Sequence, residues 1–195
     1  MMARSAQLCV EITGKSVHLA HWREGADALW AAALFLQRVY ALAEREQTCL
    51  LRFGCCTSGT VNNAVSDRSR LEGSLRCFSD GQFDRLFGGM ERIARDVAAE
   101  TGCSLHVGRS DGYRAVTNDA ALLDAVRPAV PELREAPATY ITEDFSAYQR
   151  RVPGVFFLLG TGGEALHSPQ FTFDESVLLT GAALLRRLAV LGDAV

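Results

Sequence analysis

The chain has 195 residues, of which 48% are hydrophobic and 22% charged, with a net charge of -3 and an isoelectric point near 5.8. This composition is typical of a globular chain and excludes a largely disordered one. The mildly acidic balance gives no electrostatic sign of binding to nucleic acid or to an anionic membrane, and we expect neither partner. No apolar core of a signal peptide precedes the charged residue Glu11. No apolar run approaches the roughly 20 residues that a membrane helix needs. We therefore expect a cytoplasmic protein.

The six cysteines form no Cys-x-x-Cys pair and mostly occupy strand-like segments. This spacing favours reduced, buried thiols over a disulfide framework. A cysteine-rich zinc site is the weaker alternative, because structural zinc ligands normally come in closely spaced pairs. The cysteines are Cys9, Cys49, Cys55, Cys56, Cys77 and Cys103.

In chain order, the residue pattern of the first part of the chain predicts four strands and two helices. Leu8, Val10 and Ile12 alternate with polar residues until Gly14, which predicts a half-buried strand. Apolar positions at three- and four-residue steps predict the two amphipathic helices, the second capped by Ser79 or Asp80. After the first strand, the predicted elements are a helix over 24–43, strands over 49–56 and 68–78, a helix from the cap to residue 100, and a strand over 103–107.

This β-α-β-β-α-β order predicts an α+β domain, a four-stranded antiparallel sheet with both helices on one face. We assign residues 1–110 to it, and its exposed sheet face or edge is a candidate dimer surface.

The remainder, residues 111–195, has a different character. The apolar run at 155–159 predicts a strand buried on both faces, which needs neighbours that this region hardly supplies. We therefore interpret residues 111–195 as the tail of a larger α/β sheet. Because its buried strand is left partly uncovered, we expect self-association or marginal order in this region. Its other predicted elements are a helix over 119–126, a linker over 128–137, a short strand over 139–141, a short helix through Tyr148, a loop over 160–171 and a final helix over 174–191.

Several polar residues lie in predicted turns, where a rigid scaffold can present them. His18 and His21 fall in the turn after the first strand, and the plain alternative is two solvated loop histidines. Glu143 and Asp144 precede a helix and could be ordinary capping acids. Arg76 could be a solvated strand residue, and we assign no role to His106.

A set of short motifs occurs in one order along nearly the whole chain: G-K-S-V-H, E-G-A-D-A-L, S-G-T-V-N-N, L-E-G-S-L-R, D-G-Y, E-D-F-S, F-L-L-G-T-G, A-L-H-S-P-Q-F and D-E-x-x-L-x-x-G. Together they resemble the second half of the aminoacylase and carboxypeptidase G superfamily, metallopeptidase family twenty. The hippurate hydrolase and N-acyl-amino-acid amidohydrolase branch is the most similar. In that family a lid or dimerisation domain of β-α-β-β-α-β order interrupts an α/β catalytic domain that holds two metal ions.

The resemblance implies roles for particular residues. His18 matches the lid histidine that stabilises the oxyanion in the partner subunit's site, and Asn63 matches the asparagine that assists it, with Asn62 the competing assignment. Arg76 matches an arginine that holds the substrate carboxylate. Glu143 and Asp144 match a turn that lines the catalytic cleft.

His167 matches the last metal ligand of the family, in which zinc or manganese is bound as a pair. The other ligands and the general-base glutamate precede the lid in the family, and this chain begins at the lid. A catalytic zinc site usually needs three protein ligands and a water. The resemblance therefore implies the C-terminal half of a metal-dependent amidohydrolase, inactive alone and lacking an N-terminal half as a partner.

Two classes of function follow. The first is part of an enzyme that hydrolyses an N-acyl amino acid or a small peptide and forms a homodimer through the lid. The second is a non-catalytic dimerisation module in which the catalytic tail is vestigial.

Overall fold

The computed structural model describes residues 1–46, 48–162 and 168–192, and the chain divides into two compact units. The first unit consists of Met1–Val116 and Ala138–Ala147. The second consists of Thr117–Pro137 and the described part of residues 148–195. The first unit therefore includes a segment that follows the predicted boundary at residue 110.

The first unit is built on a four-stranded sheet in the order β2-β3-β1-β4, in which all neighbouring strands are antiparallel. The central strand β1 pairs Leu8 with Gly73 of β3 and Glu11 with His106 of β4. The predicted four-stranded antiparallel sheet is therefore confirmed. The strands are β1 Arg4–Thr13, β2 Cys49–Ser58, β3 Arg68–Cys77 and β4 Ser104–Arg109.

Two helices, α1 (Ala28–Glu44) and α2 (Asp80–Thr101), pack on this sheet. A single apolar cluster joins the alternate residues of β1 to both helices, with Phe35 and Phe83 fully buried. Helix α1 begins four residues later than predicted, because Asp27 accepts hydrogen bonds from the first free N–H groups and sets the start. The residues before it, Leu19–Glu24, form a short 3-10 helix.

The second unit contains α3 (Ala120–Val126) and α5 (Val177–Gly192). The division between the units, after Ala147, falls within the short α4 (Ser146–Gln149). The predicted strand over 155–159 is wrong, because these residues have no regular secondary structure and Leu158 is 64% exposed. A strand needs backbone partners, and the described residues of this unit contain no strand that could supply them. The predicted strand over 139–141 is likewise reduced to one bridge between Thr139 and Met2.

Candidate functional site

His18 lies at the N-terminus of the 3-10 helix, where its exposed side chain caps the first turn. Its Nδ1 accepts a hydrogen bond from the N–H of Ala20 at 3.2 Å. A ring nitrogen that accepts cannot carry a proton, so the neutral imidazole has its proton on Nε2. His18 therefore presents Nε2–H as a donor at the surface of the first unit.

The turn that carries Asn62 and Asn63 is joined to the His18 loop by backbone hydrogen bonds. The N–H of Leu19 donates to the carbonyl of Asn63 at 3.0 Å, and His18 forms a bridge with Ala64. Both asparagines are exposed. The structure thus brings His18 and Asn63, which are distant in sequence, to neighbouring positions.

The His18 loop depends on a close approach of two backbone segments. Lys15 and Ala26 exchange two backbone hydrogen bonds, 2.8 and 3.0 Å long, which close the loop at its base. A Cβ atom on Gly14 would lie 2.0 Å from the carbonyl oxygen of Ala26. Only glycine therefore fits at the end of this strand.

Serine hydroxyls hold the turn that carries Asn62 and Asn63, and sequence reasoning did not single them out. Ser66 is 8% exposed, and its hydroxyl lies 3.0 Å from that of Ser58 and donates to the carbonyl of Arg68 at 2.9 Å. Its own carbonyl accepts from the N–H of Ala28 at the start of α1. Serines on both sides of a Gly-containing turn are the sequence signal that could have indicated this network.

An open cleft of about 530 Å³ lies beside the Asn62 turn. Leu19, Leu29 and Val61 line its apolar part, and all three side chains are largely exposed. The His18 loop and the Asn63 turn therefore combine exposed N–H donors with an adjacent apolar surface.

Arg76 lies at the opposite end of the sheet from His18. Arg76 pairs with Ser5. Arg68 pairs with Thr13, at the end of the sheet next to the His18 loop and the Asn63 turn. At about 3.4 Å per residue, the strand from Arg68 to Arg76 spans about 27 Å. Arg76 and His18 of one chain therefore cannot contact the same small molecule.

Arg76 is a half-buried residue, and its guanidinium donates to the carbonyl of Tyr140 at 2.6 Å. This contact brings Arg76 to the segment that carries Glu143 and Asp144. The carboxylate of Glu143 accepts from the N–H of Asp144 at 2.9 Å, and the carbonyl of Asp144 accepts from Ala147. Locally these acids therefore organise the start of α4.

His167 lies outside the described residues. Among the residues that are described, no three His, Cys, Asp or Glu side chains are grouped so that they could hold a metal ion. The donor set present in this part of the chain therefore does not fit a metal pair.

His21 is exposed, with Nδ1 3.6 Å from Glu24, and His106 lies on the helix-free face of the sheet.

All six cysteines are free thiols. Cys77 and Cys103 are buried, but Cys55 and Cys56 are exposed on β2, so the prediction of buried thiols is wrong for these two. Burial, with Cys49 and Glu46 nearby, raises the pKa of Cys77 to about 12. Cys77 is therefore an unreactive core thiol.

A buried arginine next to the apolar cluster was also missed by sequence reasoning. Arg4 is 4% exposed, lies 2.8 Å from the carboxylate of Asp80 and stacks 3.9 Å from the Phe83 ring centre. Burial alone raises the pKa of Asp80, but Arg114 and Arg4 outweigh it and leave the pKa below its usual value. The cluster holds the start of α2 against β1.

No helix in the described ranges has both the length and the apolar character needed to cross a bilayer.

Comparisons with known proteins point to one family. The sequence profile described as Peptidase family M20/M25/M40 matches residues 11–190. An N-acetyldiaminopimelate deacetylase of Lacticaseibacillus casei is 29% identical over 194 residues, which cover 93% of this chain and 50% of that protein. An N-acetylcysteine deacetylase of Bacillus subtilis is 28% identical over 200 residues, covering 98% and 53%.

Among solved structures, a dinuclear metal-binding peptidase of the M20 family from Bacillus subtilis superposes with a TM-score of 0.82 at 26% identity. The match covers 98% of this chain and 50% of that one. The chain therefore spans about half the length of the relatives that it matches.

Proposed function

The chain belongs to the M20/M25/M40 family of peptidases, and from this premise we propose that it supplies the lid and C-terminal part of a metal-dependent amidohydrolase. The proposed substrate is an N-acyl amino acid or a small peptide amide. The deacetylases among the similar proteins support this class of substrate. The six free thiols suit the reducing environment of the cytoplasm, where we place the enzyme.

The pairing of the His18 loop with the Asn63 turn is the observation that carries the proposal. Amide hydrolysis builds negative charge on the carbonyl oxygen, and each well-placed N–H donor stabilises that charge by about 2.7–4 kcal/mol. The Nε2–H of His18 and the side-chain amide of Asn63 are such donors. We assign both to the oxyanion in the active site of a partner subunit.

Arg76, Glu143 and Asp144 are assigned to substrate binding. The planar guanidinium of Arg76 suits a substrate carboxylate, and its contact with Tyr140 orients it. Because about 27 Å of strand separates Arg76 from the His18 end, one active site can use both residues only if they come from different subunits.

A homodimer through the lid domain satisfies this requirement. Strand β2 is an edge of the sheet, and its residues Gly54, Cys55 and Cys56 are exposed. An unpaired edge offers N–H and C=O groups to a second copy. A non-catalytic dimerisation module is the second candidate function, and the same exposed edge favours it.

The metal pair of the family would polarise the amide carbonyl and activate a water molecule. We propose His167 as one ligand, with zinc or manganese as the metal. The described residues do not hold such a pair, so we expect no hydrolysis by this chain alone and assign to it no step through the metal.

A covalent chimera tests the proposal. The half of the Bacillus subtilis deacetylase that this chain does not match would be fused to this chain, and hydrolysis of N-acetyl amino acids would be measured. His18→Ala and Asn63→Ala should each lower kcat by about 10²–10³-fold. His21→Ala, in the same 3-10 helix, is the matched control and should leave kcat unchanged.

An inactive chimera that still forms a dimer would reject the enzymatic proposal in favour of the dimerisation module. An active chimera that is insensitive to His18→Ala would reject the assignment of the oxyanion donors.

A further inference from the structure

Two of the free thiols lie directly opposite each other in the sheet. Cys49, the first residue of β2, pairs with Cys77, the last residue of β3. Directly opposite residues of an antiparallel pair point to the same face of the sheet. Leu51 and Leu75, the opposed pair two residues along, are both fully buried on the face that the helices cover. Both thiols therefore lie on that face, at one end of the sheet.

The backbone hydrogen bonds of β1 show which kind of pair the two cysteines form. Along an antiparallel strand, successive residues direct their N–H and C=O groups to opposite neighbours. The N–H of Ser5 donates to Tyr113 at 2.9 Å, and its C=O accepts from Tyr113 at 3.2 Å, on the side away from β3. The backbone groups of Arg4 are therefore directed to its partner on β3, Cys77. Because Cys77 exchanges its hydrogen bonds with β1, its pairing with Cys49 on β2 is a non-hydrogen-bonded one.

A non-hydrogen-bonded pair brings opposite side chains closest together. Its Cα atoms are about 4.5 Å apart, compared with about 5.5 Å in a hydrogen-bonded pair. The Cα atoms of a disulfide are usually about 4.4–6.8 Å apart, so the backbone of Cys49 and Cys77 already has the spacing that a disulfide requires. By contrast, Cys55 and Cys9 lie on either side of Glu72, about 10 Å apart.

The two thiols differ in their access to solvent. Cys77 is fully buried, whereas Cys49 is half-buried at the start of an edge strand, with Sγ 3.6 Å from the carbonyl oxygen of Ala43. Burial, with the Glu46 carboxylate nearby, raises the pKa of Cys49. Because the thiolate is the reactive form, a reagent from solvent reacts slowly and reaches Cys49 first. Cys77 then has a partner that is already inside the fold.

We propose that Cys49 and Cys77 form a redox-sensitive modification site, which closes to a cross-strand disulfide when the folded chain meets a small disulfide. The Cys49 thiolate attacks one sulfur atom of the reagent and displaces one thiolate, which leaves a mixed disulfide on Cys49. The deprotonated Cys77 sulfur then attacks the Cys49 sulfur and displaces the second thiolate. The protons of the two protein thiols pass through water to the displaced thiolates, so the protein is oxidised and the reagent is reduced to two thiols.

The disulfide fastens the start of the edge strand β2 to the end of β3. It restricts the unfolded chain between the two cysteines, so the oxidised chain should be the more stable form. On one side of Cys77, Arg76 donates to the carbonyl of Tyr140, and on the other side Phe78 packs on the Tyr140 ring with ring centres 5.0 Å apart. The site therefore adjoins the arginine that is proposed to bind the substrate, but it does not depend on hydrolysis.

Exposure of the reduced, folded chain to oxidised glutathione at mildly alkaline pH tests this inference. After the remaining thiols have been alkylated, peptide mapping should recover linked peptides that contain Cys49 and Cys77. The oxidised chain should melt at least about 4 °C above the reduced chain. Cys49→Ser should abolish both the linkage and the rise in melting temperature, and circular dichroism should show that this variant is folded.

Cys55→Ser and Cys56→Ser are the matched controls, because both thiols are exposed on β2 and are opposed by Glu72 and Leu71 instead of a cysteine. Each variant should retain the linkage and the rise in melting temperature. Glutathione that remains on Cys49 without a linkage to Cys77 would overturn the inference. A linkage that forms only in urea would also overturn it, because the sheet would then not bring the two thiols together. Either result leaves the proposed hydrolytic function untouched.

Discussion

The two units differ in where their large apolar side chains lie. In the first unit, Phe35 and Phe83 are fully buried between a sheet and two helices. In the second unit, Leu179 is 75% exposed, and no strand of the described residues lies beside the apolar run at 155–159. The first unit thus closes its own core. The described residues of the second unit leave several of these side chains uncovered, although a helix is most stable when its apolar face is covered.

The largest expected effect is in the core of the first unit. Phe35→Ala should lower the free energy of unfolding by about 3–5 kcal/mol, because it leaves a cavity under the sheet. Leu179→Ala, in the second unit, should change it by less than about 0.5 kcal/mol. Urea unfolding followed by circular dichroism measures both effects, and the fluorescence of Trp22 and Trp30 follows the first unit separately. Equal effects would contradict the contrast between the two units.

Two glycines with positive φ sharpen the contrast. A Cβ atom on Gly112, in the first unit, would lie 1.7 Å from the carbonyl oxygen of Ser5. Gly162, in the second unit, has no described atom within 4 Å of such a Cβ. Gly162→Ala should lower the free energy of unfolding by about 1–2 kcal/mol, because alanine is strained in the left-handed conformation. Gly112→Ala should lower it by more than about 2 kcal/mol, because the new Cβ atom would also clash with Ser5. Thermal unfolding of both variants tests the order.

A smaller effect is expected at the Asp80 carboxylate. Its pKa is lowered in the folded chain, so the stability it contributes is present above about pH 4 and is lost as the pH falls further. Because the side chain is 54% exposed, Asp80→Asn should lower the free energy of unfolding by less than about 1 kcal/mol at pH 7.

The difference between Asp80→Asn and the parent should vanish in acid. Glu91→Gln, exposed on the same helix, is the control and should show no such pH dependence. A difference that persists at low pH would reject the ionic origin of the effect. Unfolding curves across the pH range measure it.

The smallest effect is expected in metal binding. The chain alone should contain no stoichiometric zinc or manganese, and His167→Ala should not change the result, because one histidine cannot hold the ion without further ligands. Elemental analysis of both purified proteins measures this. Bound metal that His167→Ala removes would show that a site assembles from this chain, and the expectation of inactivity would then be wrong.

The local pattern of the sequence was sufficient for the first unit. Alternation around Leu8 predicted β1, and Ser79, one of the two predicted caps, is the N-cap of α2, which ends one residue beyond its predicted limit. These features depend on neighbouring residues, so they can be inferred without knowing the fold. The position of His18 in the turn after β1 was predicted in the same way.

The sequence by itself therefore determined which segments of the first unit form strands and helices, because periodicity and caps are local properties. Only the tertiary structure decided that the His18 loop pairs with the Asn63 turn, that Arg76 lies at the other end of the sheet, and that Arg4 is buried. It also decided that 155–159 is not a strand in this chain. Pairing and burial depend on which distant backbone groups meet, and an apolar run becomes a strand only when another strand lies beside it.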